Sequence, residues 1–326
     1  MSVKRLNSWV QADYNTYHLR VYDKPLKLVG NTPLCRIEKL PAQYGVKDRV
    51  KIYAKLEFFN PGGSVKDRAA LNIILSAIKD GALTPDKTIL DATSGNMGIS
   101  YSMIAATLGY RCKMLVPANA NTKKVAIMKT YGAEVIFTNP VDGLNGAIKK
   151  AHELYEQDPK AYFYANQYDN EANWLAHYTT TGPEIIKQTN GRLTHFVAGV
   201  GTSGTLMGVG RRLKEFNPSI KLVEVQPDSG FHGIEGLKHM ATSIKPKIYD
   251  ENFSDMCISV STSEAYEMVK KLARVEGMLV GISSGAALAA GIKIARELEE
   301  GTLVVIFPDG GERYVEERFW REEFQT

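Results

Sequence analysis

Short β-rich apolar runs alternate with helical periods along most of this chain, and that alternation restricts the fold more than any other feature. Runs such as Lys51–Lys55, Ile89–Asp91, Cys112–Val116, Val135–Thr138, Tyr162–Ala165, Phe196–Ala198, Leu222–Val225 and Val304–Phe307 read as strands. Between them, apolar residues at helical spacing predict helices over Ala69–Ile78, Thr122–Tyr131, Leu144–Tyr155 and Asn173–Gln188, with further helices ending near Leu108, Phe216, Val275 and Glu299. Gly81, Gly109 and Gly132 stand where left-handed C-caps belong. Ser261 with Glu264 forms a capping box that opens the helix ending near Val275. Apolar strands separated by helices mean parallel sheet buried on both faces. The expected class is therefore α/β, with open, mostly parallel, doubly wound sheets. The expected lobes are 45–155 and, around it, 1–44 with 156–326.

In such folds ligands gather at the C-terminal ends of strands, in the loops that lead into helices. The most pointed of these loops is Asn60-Pro-Gly-Gly-Ser-Val-Lys66-Asp-Arg68. It places Lys66 at or just inside a helix N-terminus, where the helix dipole disfavours a cation. That field and partial burial lower a lysine pKa, and a low-pKa lysine is a nucleophilic amine suited to a Schiff base. The plainer reading is a surface lysine after a Pro-Gly turn.

Three more loops share the strand-to-helix position. Thr93-Ser94-Gly95-Asn96-Met97-Gly98 offers hydroxyls, an amide and a backbone nest fit for a carboxylate or phosphate, though its small polar residues also serve as helix caps. Gly199-Val-Gly201-Thr202-Ser203-Gly204-Thr205 is a candidate phosphate cradle. It also fits the dinucleotide pattern G-x-G-x-x-G, with Glu224 twenty residues beyond Gly204 as the ribose acid, so a nicotinamide-dependent dehydrogenase is the rival reading. The hydroxyls of Thr202, Ser203 and Thr205 suit a terminal phosphate dianion better than a pyrophosphate. Gly281-Ile-Ser283-Ser-Gly285 opens another helix, and Phe307-Pro-Asp-Gly-Gly-Glu-Arg313-Tyr follows the last strand.

Composition narrows the function classes. The 326 residues are 44% apolar and 23% charged, with a net charge of +4 spread along the chain, as in an ordinary soluble globular protein. No block of like charge suggests a nucleic-acid surface, and no apolar run is long enough to span a bilayer. Three well-separated cysteines suit a reducing compartment, and neither they nor the six histidines have metal-ligand spacing, so no metal site is expected. The histidines read as structural or surface residues. Met1–Lys24 lacks an apolar secretory core and reads as an arm packed on the body or on a partner subunit. A cytoplasmic location follows from these absences.

Taken in order, five stretches resemble the cysteine synthase and cystathionine β-synthase group of fold-type II pyridoxal-phosphate enzymes. They are Gly30-Asn-Thr-Pro-Leu34, Asn60–Arg68, Thr93–Gly98, Gly201–Thr205 and Gly281–Ala286, and together they span about residues 25 to 315. The resemblance implies a two-lobed, tryptophan synthase β-like fold and a homodimer. It implies that Lys66 forms an aldimine with pyridoxal 5'-phosphate and later takes the Cα proton. It gives the cofactor phosphate to Gly201, Thr202, Ser203, Gly204 and Thr205, the ring hydroxyl to Asn96, and the ring nitrogen to Ser283. Thr93, Ser94, Gly95 and Asn96, with Gln167, would bind the substrate carboxylate. The implied reaction is β-replacement on O-acetyl-L-serine by sulfide through an aminoacrylate, giving L-cysteine. A neutral serine at the ring nitrogen stores less charge in the ring than a carboxylate partner would, which favours prompt loss of the group on Cβ.

Two departures bear on the substrate. Met97 stands where many members of the group have threonine. The segment Ser229–Met240 is shorter than in the common acetylserine enzymes and is similar to that of the second isozyme type and the phosphoserine-dependent branch, where an arginine occurs. Lys238 could serve there as a point charge for a leaving phosphate; otherwise it is a solvated loop lysine. A phosphoserine- or serine-using relative is thus the alternative.

Overall fold

The computed structural model describes residues 24–324, so the expected N-terminal arm lies outside the described residues apart from Lys24. Two sheets carry the architecture. The larger has six strands in the order β1-β2-β10-β7-β8-β9, built from Leu34–Ile37 (β1), Val50–Leu56 (β2), His195–Gly199 (β7), Lys221–Pro227 (β8), Met256–Val260 (β9) and Gly301–Phe307 (β10). The smaller has the order β5-β4-β3-β6, from Thr88–Ala92 (β3), Arg111–Pro117 (β4), Glu134–Thr138 (β5) and Tyr162–Tyr164 (β6). Every strand pair is parallel except β1 with β2, where Leu34 faces Lys55 across an antiparallel edge. This is the expected α/β class.

Helices cover both sheets. In chain order they are Lys39–Gln43 (α1), Lys66–Lys79 (α2), Asn96–Leu108 (α3), Thr122–Thr130 (α4), Gly143–Gln157 (α5), Glu171–Ala176 (α6), Gly182–Gln188 (α7), Gly204–Phe216 (α8), Thr262–Lys271 (α9), Ile282–Glu297 (α10) and Arg318–Phe324 (α11). The larger sheet has apolar layers on both faces: Val223, Val269, Leu288 and Val305 belong to one, Phe196, Leu206, Leu213 and Val304 to the other. Around the smaller sheet, Ile73, Ile74, Ile89, Tyr101, Ile104 and Met114 form one layer, and Leu90, Leu115, Ala147 and Ala151 the other. Buried strands in both sheets read as near-continuous apolar runs for this reason. The capping box at Ser261 and Glu264 is present, with both of its hydrogen bonds made.

Three expectations need correction. β2 falls inside the segment 45–155 expected for the smaller lobe, yet it pairs with β10 along its whole length. β6, beyond residue 155, belongs to the smaller sheet. The sheets therefore divide the chain after β2 and after β6, because an apolar strand does not itself declare its pairing partner. β1 and β9 were not expected as strands; their burial is incomplete and their apolar signal short. Finally, the helix expected over Asn173–Gln188 is two helices joined by a π-turn, His177–Thr181. There Thr179 and Thr180 give their hydroxyls to the carbonyls of Leu175 and Ala176, competing with the helical ladder. A second π-turn, Leu272–Glu276, ends the helix that starts at the capping box.

Candidate active site

The four strand-to-helix loops converge. Lys66, Thr93–Met97, Gln167, Gly201–Thr205, Lys238 and Ser283 all line one cavity of about 940 Å3, counted out to its open mouth.

Lys66 is the first residue of α2, reached through a Gly62-Gly63 turn in which Gly63 has φ +76°. Asp67 Oδ2 accepts from the Gly62 amide at 2.6 Å, and the Val65 amide donates to the Pro308 carbonyl at 2.8 Å. Behind them lies a buried charge network. Arg68 donates through Nε to Glu57 Oε2 and through Nη1 to Glu184 Oε1, both at 2.7 Å, while Lys55 Nζ donates to Glu184 Oε2 at 2.7 Å. Thr32 and Asn60 also donate to Glu57, and the Asn31 amide to Glu184. The Gly30–Leu34 stretch thus serves the scaffold under Lys66 rather than the cavity wall. Burial draws the Lys66 amine down to about 8, with the Asp309 carboxylate pulling the other way. Lys66 therefore reaches the neutral amine form at a lower pH than an ordinary lysine, near pH 8.

The loop after β7 has the features of an anion cradle. Ser203 is held at φ +70°, is 3% exposed, and its Oγ has no hydrogen-bond partner. Buried hydroxyls rarely go unpaired, so this one fits a ligand oxygen. A Cβ on Gly201 would stand 2.2 Å from the Gly236 carbonyl oxygen, and one on Gly204 would stand 2.0 Å from Asn173 Oδ1. The first of these contacts is with backbone and excludes a side chain at Gly201, whereas one at Gly204 would have to displace the buried Asn173 amide. Asn173 also donates to Thr202 Oγ1 at 3.1 Å. With α8 starting at Gly204, the first-turn amides add partial positive charge. The residues present fit a phosphate, and with Lys66 in the same wall they fit pyridoxal phosphate. Glu224, the ribose acid of the dehydrogenase reading, is 1% exposed and lies outside this cavity. It accepts from Gln226 on its own strand and from Tyr249 and Ser254 in the segment before β9, so it is a structural acid. His177 is buried, and burial lowers its pKa to about 3. Its neutral ring lies 3.4 Å from Thr205 Oγ1 and 2.9 Å from Thr181 Oγ1.

On the opposite wall, Thr93 Oγ1 accepts from the Gly95 amide at 3.0 Å and shapes the turn into α3. Asn96 donates through Nδ2 to Asp309 Oδ2 at 2.7 Å and accepts from Arg313 Nη1 at 2.5 Å, a pair of contacts that fixes which way its amide points. Gln167 donates to the Ala92 carbonyl at 2.9 Å. Ser283 lies one residue into α10, and Met97 is buried in the wall at the start of α3. The Lys238 ammonium lies 4.6 Å from the centre of the Tyr168 ring and donates to the Ile244 carbonyl at 3.2 Å; burial lowers its pKa. It is therefore a wall residue, not a solvated loop lysine.

Five residues beyond those expected from the sequence also belong here: Lys124, Glu235, Asp309, Arg313 and Tyr314. All but Arg313 line the cavity, and Arg313 reaches its rim through Asn96. The conspicuous Phe307–Tyr314 loop was the available signal. For Lys124, on a charged-looking helix face, there was none.

The family description "Pyridoxal-phosphate dependent enzyme" matches residues 26–309. The chain is 50% identical over 320 residues to a cysteine synthase of Aquifex aeolicus, an alignment covering 97% of each chain. It is 42% identical over 287 residues to a cysteine synthase B of Pseudomonas aeruginosa, covering 88% of this chain and 94% of that one. Among solved structures, the cysteine synthase (OASS) of Entamoeba histolytica superposes with a TM-score of 0.90 at 37% identity, covering 95% of this chain and 94% of that one.

Proposed function

The chain belongs to the pyridoxal-phosphate dependent enzymes, and on that premise we propose that it replaces the acetoxy group of O-acetyl-L-serine with sulfide to make L-cysteine. The observation that carries this reading is the meeting of Lys66, the hydroxyl-lined glycine loop and Ser283 in one cavity wall. Bound there, pyridoxal phosphate withdraws electrons from the substrate Cα, so that its proton can be removed and its Cβ substituent expelled.

The chain's own groups do the rest. Gly201–Thr205 and the first turn of α8 would hold the phosphate, and Asn96, its amide oriented by Asp309 and Arg313, would meet the ring hydroxyl. Ser283 offers the ring nitrogen a neutral hydroxyl. Thr93, Ser94, Gly95 and Asn96 grip the substrate carboxylate together with Gln167. Lys66 would take the Cα proton; its lowered pKa suits a base working near neutral pH. The half-enclosed cavity limits access of water at the reacting carbon. We place the enzyme in the cytoplasm as a homodimer. Three free cysteines agree with a reducing compartment, and no helix among the described residues is long and apolar enough to cross a membrane.

One observation favours a second donor. Lys238 stands in the cavity wall as an added cation, which suits a leaving phosphate. The test of both readings is the visible absorbance of the purified holoenzyme before and after each donor is added without sulfide. A spectrum that shifts with O-acetylserine and returns with sulfide supports the proposal. A spectrum that ignores O-acetylserine and responds to O-phosphoserine, with the response lost in Lys238→Ala, replaces the donor. Silence to both overturns the assigned reaction.

A further inference from the structure

Lys124 is a buried lysine that the reaction above does not use. It lies on α4, which packs over the smaller sheet through Val125 and Met128. Its side chain is 2% exposed and joins the cavity wall on the side of the smaller sheet to Glu235 and Tyr314. Nζ donates to Glu235 Oε1 at 2.6 Å and to the Tyr314 hydroxyl at 2.8 Å, and lies 4.4 Å from the centre of the Tyr314 ring. The contact continues inward. Tyr314 donates to Asp309 Oδ2 at 2.6 Å, and the same oxygen accepts from Asn96 Nδ2. One hydrogen-bonded chain therefore runs from Glu235 through Lys124, Tyr314 and Asp309 to Asn96. Neighbouring residues reinforce the bridge: Asn121 donates to the Arg313 carbonyl at 3.0 Å, and Lys123 pairs with Glu316 at 3.0 Å.

The Lys124 stem also borders the turn that opens α3. A Cβ on Gly95 would stand 2.5 Å from Lys124 Cδ, so the carboxylate-binding loop and the lysine pack without a gap. Two surface ion pairs would hold little. A buried ammonium with a carboxylate, a phenol and an aromatic face is different, because opening the lobes leaves each partner to be resolvated separately.

We propose that Lys124 is a positioning residue: it latches the smaller lobe over the cavity and, through Tyr314 and Asp309, sets the orientation of Asn96. The proposal rests on the cysteine-forming reaction for its kinetic consequence, but not for its structural one. With the latch shut, the reacting carbon is kept from water until sulfide arrives. With the latch weakened, water competes, and O-acetylserine plus water is released as acetate, pyruvate and ammonia.

The experiment compares wild-type holoenzyme with K124M and K124R in two measurements. The first is backbone hydrogen exchange over residues 119–131 and 309–317. The second is the ratio of pyruvate to cysteine formed from O-acetylserine and limiting sulfide. In K124M both segments are expected to exchange faster, the ratio to rise about tenfold, and KM for O-acetylserine to rise more than kcat falls, because a buried pair has been broken. K124R, which keeps the charge and reach, is expected to restore most of each. Unchanged exchange and partition in folded K124M overturn the proposal, as does a K124R as impaired as K124M. Should K124M not fold, E235Q removes one partner and is expected to move both readouts the same way by less; no movement there also overturns it. If wild-type enzyme forms neither product, the assigned reaction fails, while the exchange comparison still decides the latch.

Discussion

Gly201→Ala isolates the cradle from the rest of the site. The new Cβ would stand 2.2 Å from the Gly236 carbonyl oxygen, whereas a carbon-to-oxygen contact ordinarily needs about 3.3 Å. The two backbones must therefore part by about 1.1 Å. Neither can do so freely. The Lys238 amide donates to the Val200 carbonyl at 2.8 Å and ties the segments together, Gly236 is held at φ +92°, and Leu237 packs against Gly199. Overpacking of this kind costs about 1–3 kcal/mol, here concentrated on the loop proposed to hold the phosphate. If that strain is relieved only by unseating the loop from the cofactor, affinity for pyridoxal phosphate falls roughly 5- to 150-fold. The assay is titration of the apo protein with pyridoxal phosphate by absorbance, alongside thermal unfolding with and without it. Gly291→Ala is the matched control, since its Cβ meets only a side-chain methyl of Val305 at 3.1 Å, and it should bind normally. A folded Gly201→Ala that binds within about twofold of wild type would refute the assigned close approach.

Further expectations concern the lysine and its supports. Rebinding of pyridoxal phosphate by apoenzyme should accelerate as pH rises through about 8, because Lys66 is protonated below that value and only the neutral amine attacks; a rate flat from pH 7 to 9 would contradict it. Arg68→Met leaves Glu57 buried beside no guanidinium and should destabilise the fold by about 3–5 kcal/mol in denaturant unfolding, far more than loss of a surface pair. Ser283→Asp should lower turnover by about two orders of magnitude while Ser283→Ala stays within about tenfold, since a carboxylate changes the charge at the ring nitrogen and a methyl does not; equal effects would remove Ser283 from that position.

The sequence made the loops legible because each needs residue types that do little else. Glycines at close approaches, hydroxyls at a helix start and a lysine where a cation is disfavoured leave a local trace, and Lys66, Thr93–Asn96, Gly201–Thr205 and Ser283 all lie in loops that carry one, although caps and turns leave a similar trace and only the order of the loops separates the two. Strand pairing left no such trace. β2 looks equally buried beside either sheet, and only its register with β10 assigns it to the larger one. The π-turn at His177–Thr181 depends on threonine hydroxyls choosing carbonyls, which periodicity does not record. Lys124 was opaque for a similar reason. On its own helix it is one lysine in a charged run, and its partners Glu235 and Tyr314 lie 111 and 190 residues away.

The position of β2 has a mechanical consequence. The chain leaves the larger sheet at Leu56, turns through Gly62 and Gly63, and enters α2 at Lys66, while the body of α2 packs into the apolar layer on the smaller sheet. The first turn of that helix is moored to the other lobe: Val65 to Pro308, Arg68 to Glu57 and Glu184, and Ser64 bridged to Asp309. Lys66 therefore stands at the fulcrum of a lever about 20 Å long. A rocking of the smaller lobe by about 5° sweeps the far end of α2 through nearly 2 Å and leaves the fulcrum almost still. A nucleophile placed on the axle of a moving part can keep its aim while the walls around it open and close.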